Sequence, residues 1–392
     1  MKFDGYPTRE EVLEAIDSKW HAKPAIEWVP IEASLDRILA ADLTSKMTFP
    51  IYRAAKLDGI AFSYAQYLAD EQKTENWQLG RDYAYADTGD DFPDGFDTVI
   101  MVEKVDFLEN GGLHFLEPSI EKGENVADRG STIKAGDLVS KKQRRIRPTD
   151  LAAFALSGNT RIPVYQKLKV AFIPTGSELV PLRSLPKRGQ MIDCNSLMVQ
   201  ATLEKFGVEP LIYPIVKDIT ADLEATLQDA LTQADLVLIN GGSARGKEDY
   251  NAGILERMGE VICHGVKAAP GRPLCLAMIG ETPVLNIPGP PVATYFGLDW
   301  CVSHIIAHYY GTQVPEKAKV QAKMKNECGG PGLADFLCRM ELMKNGDAYE
   351  AIFLSPRGGA MGQVLSSNGQ RILERGNLGF HPGELIDVEW IE

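Results

Sequence analysis

The chain has 392 residues, too many for one ordinary hydrophobic core, so about two to four domains are expected. Its 44% hydrophobic and 24% charged residues are typical of a soluble globular protein, and no stretch approaches the ~20 consecutive apolar residues of a membrane helix. The net charge of −13 argues against a nucleic-acid partner, because such a partner requires a basic surface.

The N-terminus and the cysteines indicate a cytoplasmic protein. The segment from Met1 to Pro7 lacks the apolar region of a secretion signal. The six cysteines show no C-x-x-C pairing and lie mostly among apolar neighbours, which favours reduced, buried thiols over disulfides or zinc ligands. We therefore expect a cytoplasmic location and no membrane segment.

The chain opens with a predicted helix. Thr8 and Glu11 have the spacing of a capping box, and Val12, Ile16 and Trp20 lie on one apolar stripe. This pattern is typical of a helix that packs on another element.

Residues 45–142 are predicted to form a β-rich module. Thr98–Glu103 and Leu113–Leu116 flank the turn signal Glu109–Gly112, which is typical of a hairpin. Two loops, Arg53–Gly59 and Asp87–Gly95, are more polar than a scaffold requires. Carboxylate-rich loops are most often solvated surface, so these loops alone do not indicate a site.

A second helix is predicted to begin at Pro148 and to end at Gly158. If this helix packs on the first one, the β-rich module is an insertion into an N-terminal linker domain made of residues 1–44 and 143–167. We therefore treat 45–142 as an inserted module.

Strands and helices alternate regularly from residue 168 to residue 314. Apolar strands are predicted at 168–174, 210–216, 235–240, 261–266 and 283–287, with helices at 195–206, 220–234, 250–258 and 292–310. The pattern predicts an α/β domain with a parallel sheet covered on both faces. Residues 315–392 alternate polar and apolar positions around a turn at Asn345–Asp347, which predicts a small all-β C-terminal domain.

Three loops of the α/β domain are expected to meet at one edge of its sheet. They follow strands and begin at Thr175, Gly241 and Pro288. Ligands of open α/β sheets bind in the crevice beyond the carboxyl ends of the strands. Taken alone, the Gly241 loop is equally well interpreted as a plain strand-to-helix turn.

The side chains around these loops indicate a site for a phosphorylated ligand. Carboxylates that could hold a hard cation such as Mg²⁺ are Glu178, Asp193 and Asp249, and cations that could neutralise phosphate are Lys247, Lys267 and Arg272.

A series of short motifs runs through the chain in a fixed order. The motifs are Asp58-Gly59, Asp87-Thr88-Gly89 with Pro93 and Gly95, Arg129-Gly130, Thr175-Gly176 with Glu178-Leu179, Ile192-Asp193 with Asn195, Gly241-Gly242 with Asp249-Tyr250, Pro270-Gly271 with Pro273, and Pro288-Gly289 with Pro291. Their joint order and spacing resemble the molybdopterin molybdenumtransferase family, the bacterial MoeA group together with the C-terminal domain of gephyrin. The resemblance covers essentially the whole chain.

The resemblance implies the same four-domain layout and a homodimer, with the active site between the α/β domain of one subunit and the β-rich module of the other. It implies hydrolysis of adenylylated molybdopterin in the presence of a divalent metal ion, insertion of molybdate into the dithiolene, and release of AMP. A molybdopterin adenylyltransferase would be the source of that substrate.

The resemblance also implies roles for individual residues. Asp58, Thr88, Asp193 and Asp249 would be catalytic, and Glu178 with Asp249 would hold the divalent ion. The resemblance implies that Gly241, Gly242, Gly271 and Gly289 let the backbone approach the substrate. The further residues predicted to bind substrate are Arg129, Arg245, Lys247, Lys267, Arg272, Pro288 and Pro291.

The chain departs from the family pattern inside several motifs. Ser177 replaces an aspartate, Ala269 replaces the lysine before Pro-Gly, and Arg272 replaces the lysine after it. Arg245 appears in the loop where the family has a small hydroxyl residue. Arg245 and Arg272, with Lys267, would rebuild the positive site around a differently placed ligand; the alternative is that the oxyanion site has decayed.

Two classes of function therefore stay open at the level of sequence. One is a divergent metal-inserting transferase. The other is a non-catalytic relative that binds a pterin, a nucleotide or a protein partner. The surviving carboxylates favour the enzyme, because carboxylates are costly to keep close together without a cation.

Overall fold

The computed structural model describes residues 5–116, 119–242, 250–356 and 365–391. The chain divides into two compact units, Ile26–Val164 and Met1–Ala25 with Tyr165–Glu392. The four domain boundaries predicted from the sequence are finer than this division and stay predictions.

The described residues form eight α-helices and 27 strands. The helices are α1 Arg9–Lys19, α2 Tyr64–Ala69, α3 Pro148–Leu156, α4 Asn195–Phe206, α5 Thr220–Gln233, α6 Tyr250–Met258, α7 Pro291–Gly297 and α8 Ser303–Tyr310. The strands up to Tyr165 are β1 Ile26–Pro30, β2 Leu43–Thr44, β3 Ala54–Ala55, β4 Gly59–Phe62, β5 Tyr83–Ala86, β6 Thr98–Met101, β7 Val105–Phe107, β8 Leu113–Phe115, β9 Val126–Ala127, β10 Leu138–Ser140 and β11 Arg161–Tyr165. The later strands are β12 Lys169–Pro174, β13 Leu179–Val180, β14 Met191–Ile192, β15 Glu209–Ile212, β16 Leu236–Asn240, β17 Glu260–His264, β18 Ala268–Ala269, β19 Cys275–Ile279, β20 Thr282–Ile287, β21 Lys319–Met324, β22 Cys328–Gly329, β23 Asp335–Asn345, β24 Ala348–Phe353, β25 Gly369–Leu373, β26 Gly379–Phe380 and β27 Leu385–Trp390.

The smaller unit contains the predicted β-rich module. Its central sheet has the order β5-β4-β6, with both outer strands antiparallel to β4. An aromatic core packs on this sheet, with the ring of Phe62 at 5.6 Å from the rings of both Tyr67 and Trp77. The predicted hairpin is shifted: β7 pairs with β8, whereas β6 pairs with β4, because a short 3-10 turn separates β6 from β7.

A second core of the smaller unit surrounds α3. Buried apolar residues of this core include Leu39, Ile146, Phe154 and Ile162. The sequence pattern grouped residues 1–44 with 143–167, but the N-terminal helix α1 belongs to the larger unit.

Asp150 stabilises the start of α3. Its Oδ2 accepts hydrogen bonds from the backbone N–H of Arg147 at 2.8 Å and from the guanidinium of Arg144 at 2.5 Å. Burial alone would raise the pKa of Asp150, but the hydrogen bonds from Arg147 and Arg144 outweigh burial and lower the pKa to about 2. The carboxylate is therefore ionised in the folded protein at any pH near neutrality.

Replacement of Asp150 by asparagine is expected to destabilise the smaller unit by about 1–2 kcal/mol at neutral pH. The folded pKa lies below the unfolded value of ~3.9, so the carboxylate stabilises the fold above that pH and loses its effect as the pH falls toward the folded pKa. Urea unfolding across this range measures the change. A matched substitution, Glu71→Gln, removes a carboxylate that pairs with Lys73 in solvent and should cost little. An Asp150→Asn effect that does not depend on pH would contradict the electrostatic explanation.

The larger unit is built on a six-stranded sheet with the order β15-β12-β16-β20-β19-β17. The first four strands are parallel, as predicted, but β19 and β17 are antiparallel to their neighbours. The prediction of a wholly parallel sheet was therefore wrong at this edge. It missed β19, which follows β17 and returns to β20 through a tight turn at Gly280, and such a turn can join only antiparallel strands.

Both faces of this sheet are covered, as predicted. On one face Ile173, Val237 and Ile239 pack with Leu227 of α5 and Ile254 of α6. On the other face α4 contacts β12 and α7 contacts β20. The predicted helix at 292–310 is present as α7 and α8, joined by a π-helical segment at Leu298–Val302.

The larger unit also contains α1 and the C-terminal strands. Trp20, at the end of α1, stacks on Tyr309 of α8 with ring centroids 5.4 Å apart. The C-terminal sheet has the order β18-β23-β24-β21-β27-β25, and its β23–β24 hairpin pairs Asn345 with Ala348 around the predicted turn. No helix in the described part of the chain has both the length and the apolarity of a membrane span.

All six cysteines are free thiols. Five are buried, and Cys194, at the start of α4, is exposed. Burial raises the pKa of Cys263 to about 11 and also raises the pKa of Cys301. The prediction of mostly buried thiols is confirmed, and their reduced state stays a prediction.

Candidate active site

Asp58 and Thr88 form a hydrogen-bonded pair in the β-rich module. Asp58 directly precedes β4 and Thr88 follows β5, and the antiparallel pairing of Gly59 with Ala86 brings them together. Asp58 Oδ1 accepts from the backbone N–H of Thr88 at 2.7 Å and from its hydroxyl at 2.8 Å. Both residues are exposed, so a ligand can reach the pair from solvent.

The carboxylate of this pair is held in its ionised form. The backbone hydrogen bond from Thr88 is the largest cause that lowers the pKa of Asp58, followed by the bond from the Thr88 hydroxyl. A carboxyl with a lowered pKa is a poor proton donor near neutral pH but a good ligand for a cation or an anchor for a polarised water. Among the described residues, no hydrogen bond ends on the second carboxylate oxygen, Oδ2.

Two further segments of the module lie next to this pair. The N–H of Gly89 donates to Ala55 O at 2.8 Å, which ties the turn after Thr88 to β3. β3 also pairs with β9, and the exposed Arg129 follows β9 by two residues. The structure therefore places Arg129 on a segment adjoining the one that carries Asp58.

The three predicted loops of the larger unit converge at the carboxyl edge of its sheet. The strands β12, β16 and β20 are neighbours, so the loops that begin at Thr175, Gly241 and Pro288 lie side by side. The N–H of Thr175 donates to Asn240 O at 2.8 Å, and the N–H of Gly241 donates to Ile287 O at 3.1 Å. The predicted meeting of three strand ends is confirmed.

Glycine is required at the centre of this edge. Gly241 has φ +110°, and a Cβ there would lie 2.4 Å from the carbonyl oxygen of Thr175. Gly242 also has a positive φ, and a Cβ on Gly289 would lie 3.7 Å from the Cα of Gly241. The N–H of Gly241 already donates to the carbonyl of Ile287, so it is not available as a donor to a ligand. This glycine instead allows the backbones of the neighbouring loops to lie close together.

Of the two predicted site carboxylates that the structure describes at this edge, one faces solvent and one caps a helix. Glu178 is exposed, and its carboxylate folds back over Gly176, where a Cβ would lie 2.8 Å from it. Asp193 accepts from the N–H of Ser196 at 3.0 Å and from its hydroxyl at 2.5 Å, which is how a side chain caps a helix. Glu178 is therefore better placed than Asp193 to bind a ligand.

Lys267, Gly271 and Arg272 lie in the connection between β17 and β19, with the short strand β18 between Lys267 and Gly271. Cys275, the first residue of β19, pairs with Asn286 near the carboxyl end of β20. The connection therefore emerges at the same edge of the sheet as the three loops. Lys267 and Arg272 are both half-buried, and Gly271 has φ +116°.

Three predicted site residues, Arg245, Lys247 and Asp249, lie outside the described residues. Among the residues that are described, no three or more His, Cys, Asp or Glu side chains are grouped so that they could hold a metal ion.

Buried side-chain amides beneath the loops were not predicted as functional. They are Asn195, Asn240, Asn251 and Asn286, and the hydroxyl of Thr294 joins them. Asn240 ends the otherwise apolar strand Leu236–Asn240, and Asn286 lies among apolar residues near the end of Thr282–Ile287. A polar residue at these positions is the signal in the sequence that could have found them.

Two family models match the chain. Residues 8–158 match the MoeA N-terminal region (domain I and II), and residues 171–308 match a probable molybdopterin binding domain. Together these matches cover the β-rich module with Asp58 and Thr88 and the sheet edge with its three loops.

Curated relatives and solved structures match over most of the chain. A molybdopterin molybdenumtransferase of Haemophilus influenzae is 29% identical, covering 73% of this chain and 73% of the relative. One of Staphylococcus aureus is 26% identical, covering 97% and 94%. The crystal structure of a molybdopterin biosynthesis moeA protein from Pyrococcus horikoshii has a TM-score of 0.82 and 26% identity, covering 98% of this chain and 100% of that one.

Proposed function

The chain belongs to the MoeA family, the molybdopterin molybdenumtransferases, and from this membership we propose that it is a transferase of molybdenum cofactor biosynthesis. Its substrate would be adenylylated molybdopterin, supplied by a molybdopterin adenylyltransferase. The reaction would insert molybdate, or a related oxyanion, into the dithiolene and release AMP.

The observation that carries this proposal is the Asp58–Thr88 pair. Thr88 donates two hydrogen bonds to one oxygen of Asp58, which fixes the carboxylate and keeps it ionised. Cleavage of a phosphoanhydride needs a positioned water and charge stabilisation more than covalent chemistry. An ionised carboxylate of fixed orientation on an exposed loop can position that water or a cation, whereas a merely structural aspartate would not need to be accessible.

The sheet edge of the larger unit supports the proposal because its residues suit the binding of an anionic substrate. Its glycines allow close approach of the backbone, and Lys267 and Arg272 are two positively charged residues in the connection between β17 and β19. Positive charge stabilises phosphate and oxyanion groups, and arginine adds a bidentate fork. We assign these residues, with Arg245 and Lys247 on sequence grounds alone, to the anionic part of the substrate.

Magnesium is proposed as the divalent ion. Mg²⁺ in phosphate sites usually takes one or two carboxylates, with phosphate oxygens and water completing its octahedron. Glu178 is an exposed carboxylate at the sheet edge and would supply one ligand, and Asp249 is the second candidate on sequence grounds. The ion would neutralise negative charge on the phosphates.

The test is to incubate the purified protein with adenylylated molybdopterin, Mg²⁺ and molybdate or tungstate, and to measure AMP and the metal content of the pterin product. AMP release with metal insertion supports the enzyme. An Arg245→Ala, Arg272→Ala double variant should lose oxyanion binding if those residues rebuild the positive site, whereas the exposed Arg183→Ala should retain it. Pterin binding without turnover in any condition would sink the enzymatic proposal.

We further propose a homodimer, in which the β-rich module of one subunit and the sheet edge of its partner act on the same substrate molecule. Twofold symmetry then gives two equivalent composite sites. A mixture of inactive Asp58→Ala and Asp249→Ala proteins is expected to recover part of the activity after subunit exchange, measured as AMP release. A strictly monomeric species in sedimentation at micromolar concentration would contradict the shared site.

A further inference from the structure

A layer of buried polar side chains lies directly beneath the strand-end loops of the larger unit. Asn195, Asn240, Asn251, Asn286 and Thr294 are each at most 8% exposed. Burying an amide or a hydroxyl is unfavourable unless its hydrogen bonds are satisfied. Five such groups at one edge of an apolar sheet therefore have a specific structural task.

Asn240 is the centre of this layer. Its Nδ2 donates to Pro288 O at 3.1 Å and to Thr294 Oγ1 at 3.0 Å, and its Oδ1 accepts from Asn195 Nδ2 at 2.8 Å. Its main-chain carbonyl accepts from the N–H of Thr175 at 2.8 Å and from the Thr175 hydroxyl at 3.1 Å. One residue at the end of β16 thus bonds to the loops after β12 and β20 and to the starts of α4 and α7.

The composition of the loop after β20 explains why side chains are needed. Residues 288–291 read Pro-Gly-Pro-Pro, so only Gly289 has a backbone N–H. Side chains supply donors to the loop's carbonyls: Pro288 O also accepts from Thr294 Oγ1 at 2.9 Å, and Gly289 O accepts from Asn195 Nδ2 at 2.6 Å. An apolar residue at position 240 would remove one of the two side-chain donors to Pro288 O and leave the Asn195 amide without its acceptor on Asn240.

A second set of amides holds the loop after β16. Asn251 Nδ2 donates to Gly241 O at 2.9 Å. The side-chain amide of Asn286 satisfies its hydrogen bonds when its oxygen and nitrogen exchange positions. In that orientation its Nδ2 donates to Gly241 O at 3.0 Å and to Ile239 O at 3.1 Å. A Cβ on Gly242 would lie 2.5 Å from the amide nitrogen of Asn251, so the glycine and the asparagine fit only as a pair.

We propose that Asn240, acting with Asn195 and Thr294, is a positioning residue that fixes the relative placement of the loops at 175–176, 241–242 and 288–291 for binding of the pterin phosphate. The inference rests on the proposed function, because these loops form its binding edge. Asn240 is buried beneath the loops and acts through their backbones, so its loss should weaken substrate binding before it slows the chemical step.

The experiment compares full-length variants by hydrogen exchange and by kinetics. Thr294→Val keeps the shape of the side chain and removes the hydroxyl, Thr294→Ser restores it, and Asn240→Leu removes the central amide. We expect Thr294→Val and Asn240→Leu to raise loop exchange rates and the KM for adenylylated molybdopterin about tenfold or more, with a smaller change in kcat. Thr294→Ser should stay within about twofold of the wild type in both measurements.

The matched control is Asn326→Leu, in the segment between β21 and β22 of the same unit. Asn326 also bonds the backbone through its amide, to Phe353 N at 2.8 Å and to Phe353 O at 2.9 Å. This variant should lower thermal stability without changing exchange in the loops at 175–176, 241–242 and 288–291 or the KM.

The two readouts separate the two proposals. Hydrogen exchange needs no substrate, so unchanged loop exchange in Thr294→Val overturns the positioning role even if Asn240→Leu fails to fold. An equal rise of KM in the Asn326→Leu control also overturns it. If the variants show faster loop exchange but the wild type releases no AMP, the positioning role of the network is supported and the proposed function is contradicted.

Discussion

Replacing Asp58 by asparagine is expected to lower Mg²⁺-dependent AMP release by about 100-fold or more. Asparagine keeps the shape of the side chain and can still accept from Thr88, so the loop should stay in place. What is lost is the negative charge that would position the water or the cation. The measurement is AMP release at saturating substrate, with circular dichroism to show that the melting temperature is unchanged.

The control for Asp58→Asn is Asp106→Asn, an exposed carboxylate on β7 of the same unit. It should retain full activity. Thr88→Val should also reduce AMP release, because it removes the hydroxyl that donates to Asp58, and Thr88→Ser should recover most of it. Wild-type turnover by Asp58→Asn would remove this residue from the mechanism.

The Gly241→Ala variant is expected to lose at least about 2 kcal/mol of folding stability together with nearly all AMP release. The new Cβ would lie 2.4 Å from Thr175 O and 2.9 Å from Thr175 Oγ1, at a φ of +110° that alanine rarely adopts. Relief requires the loops after β12 and β16 to move apart, which changes the binding edge. Chemical denaturation and AMP release measure the two effects.

Gly280→Ala is the control that distinguishes the cost of a positive φ from the cost of the steric clash with Thr175. Gly280 also has a positive φ, +58°, but a Cβ there would meet nothing within 4 Å. It should cost about 1 kcal/mol and leave AMP release intact. Equal losses of stability and activity in the two variants would show that the contact between Gly241 and Thr175 has no special importance.

Asp58 and Thr88 show what the sequence could predict, since it singled out both residues but not the hydrogen bonds between them. Both residues belong to short motifs that are recognisable in order, although they are 30 positions apart. The strands between them are regular and antiparallel, so proximity follows once β4 pairs with β5. The loops at the sheet edge were predictable for the same reason, because apolar strands that end in glycine or proline mark the carboxyl ends of a sheet.

Asn240 and β19 show what the sequence left out. A single asparagine at the end of an apolar run has no periodicity, and its acceptors at Pro288 and Thr294 are about fifty residues away. Its role depends on which strands are neighbours, and this is decided by the whole sheet. β19 was missed because five apolar residues next to another strand do not reveal their direction, which the turn at Gly280 sets.

The distribution of the cysteines makes the wild-type chain suitable for site-specific labelling. Five thiols are buried, and desolvation keeps Cys263 and Cys301 protonated and unreactive near neutral pH. A maleimide dye should therefore attach at Cys194, between Asp193 and Asn195, without removal of any other cysteine. Its emission would report the arrival of a ligand at the sheet edge in real time, on a protein that carries no mutation.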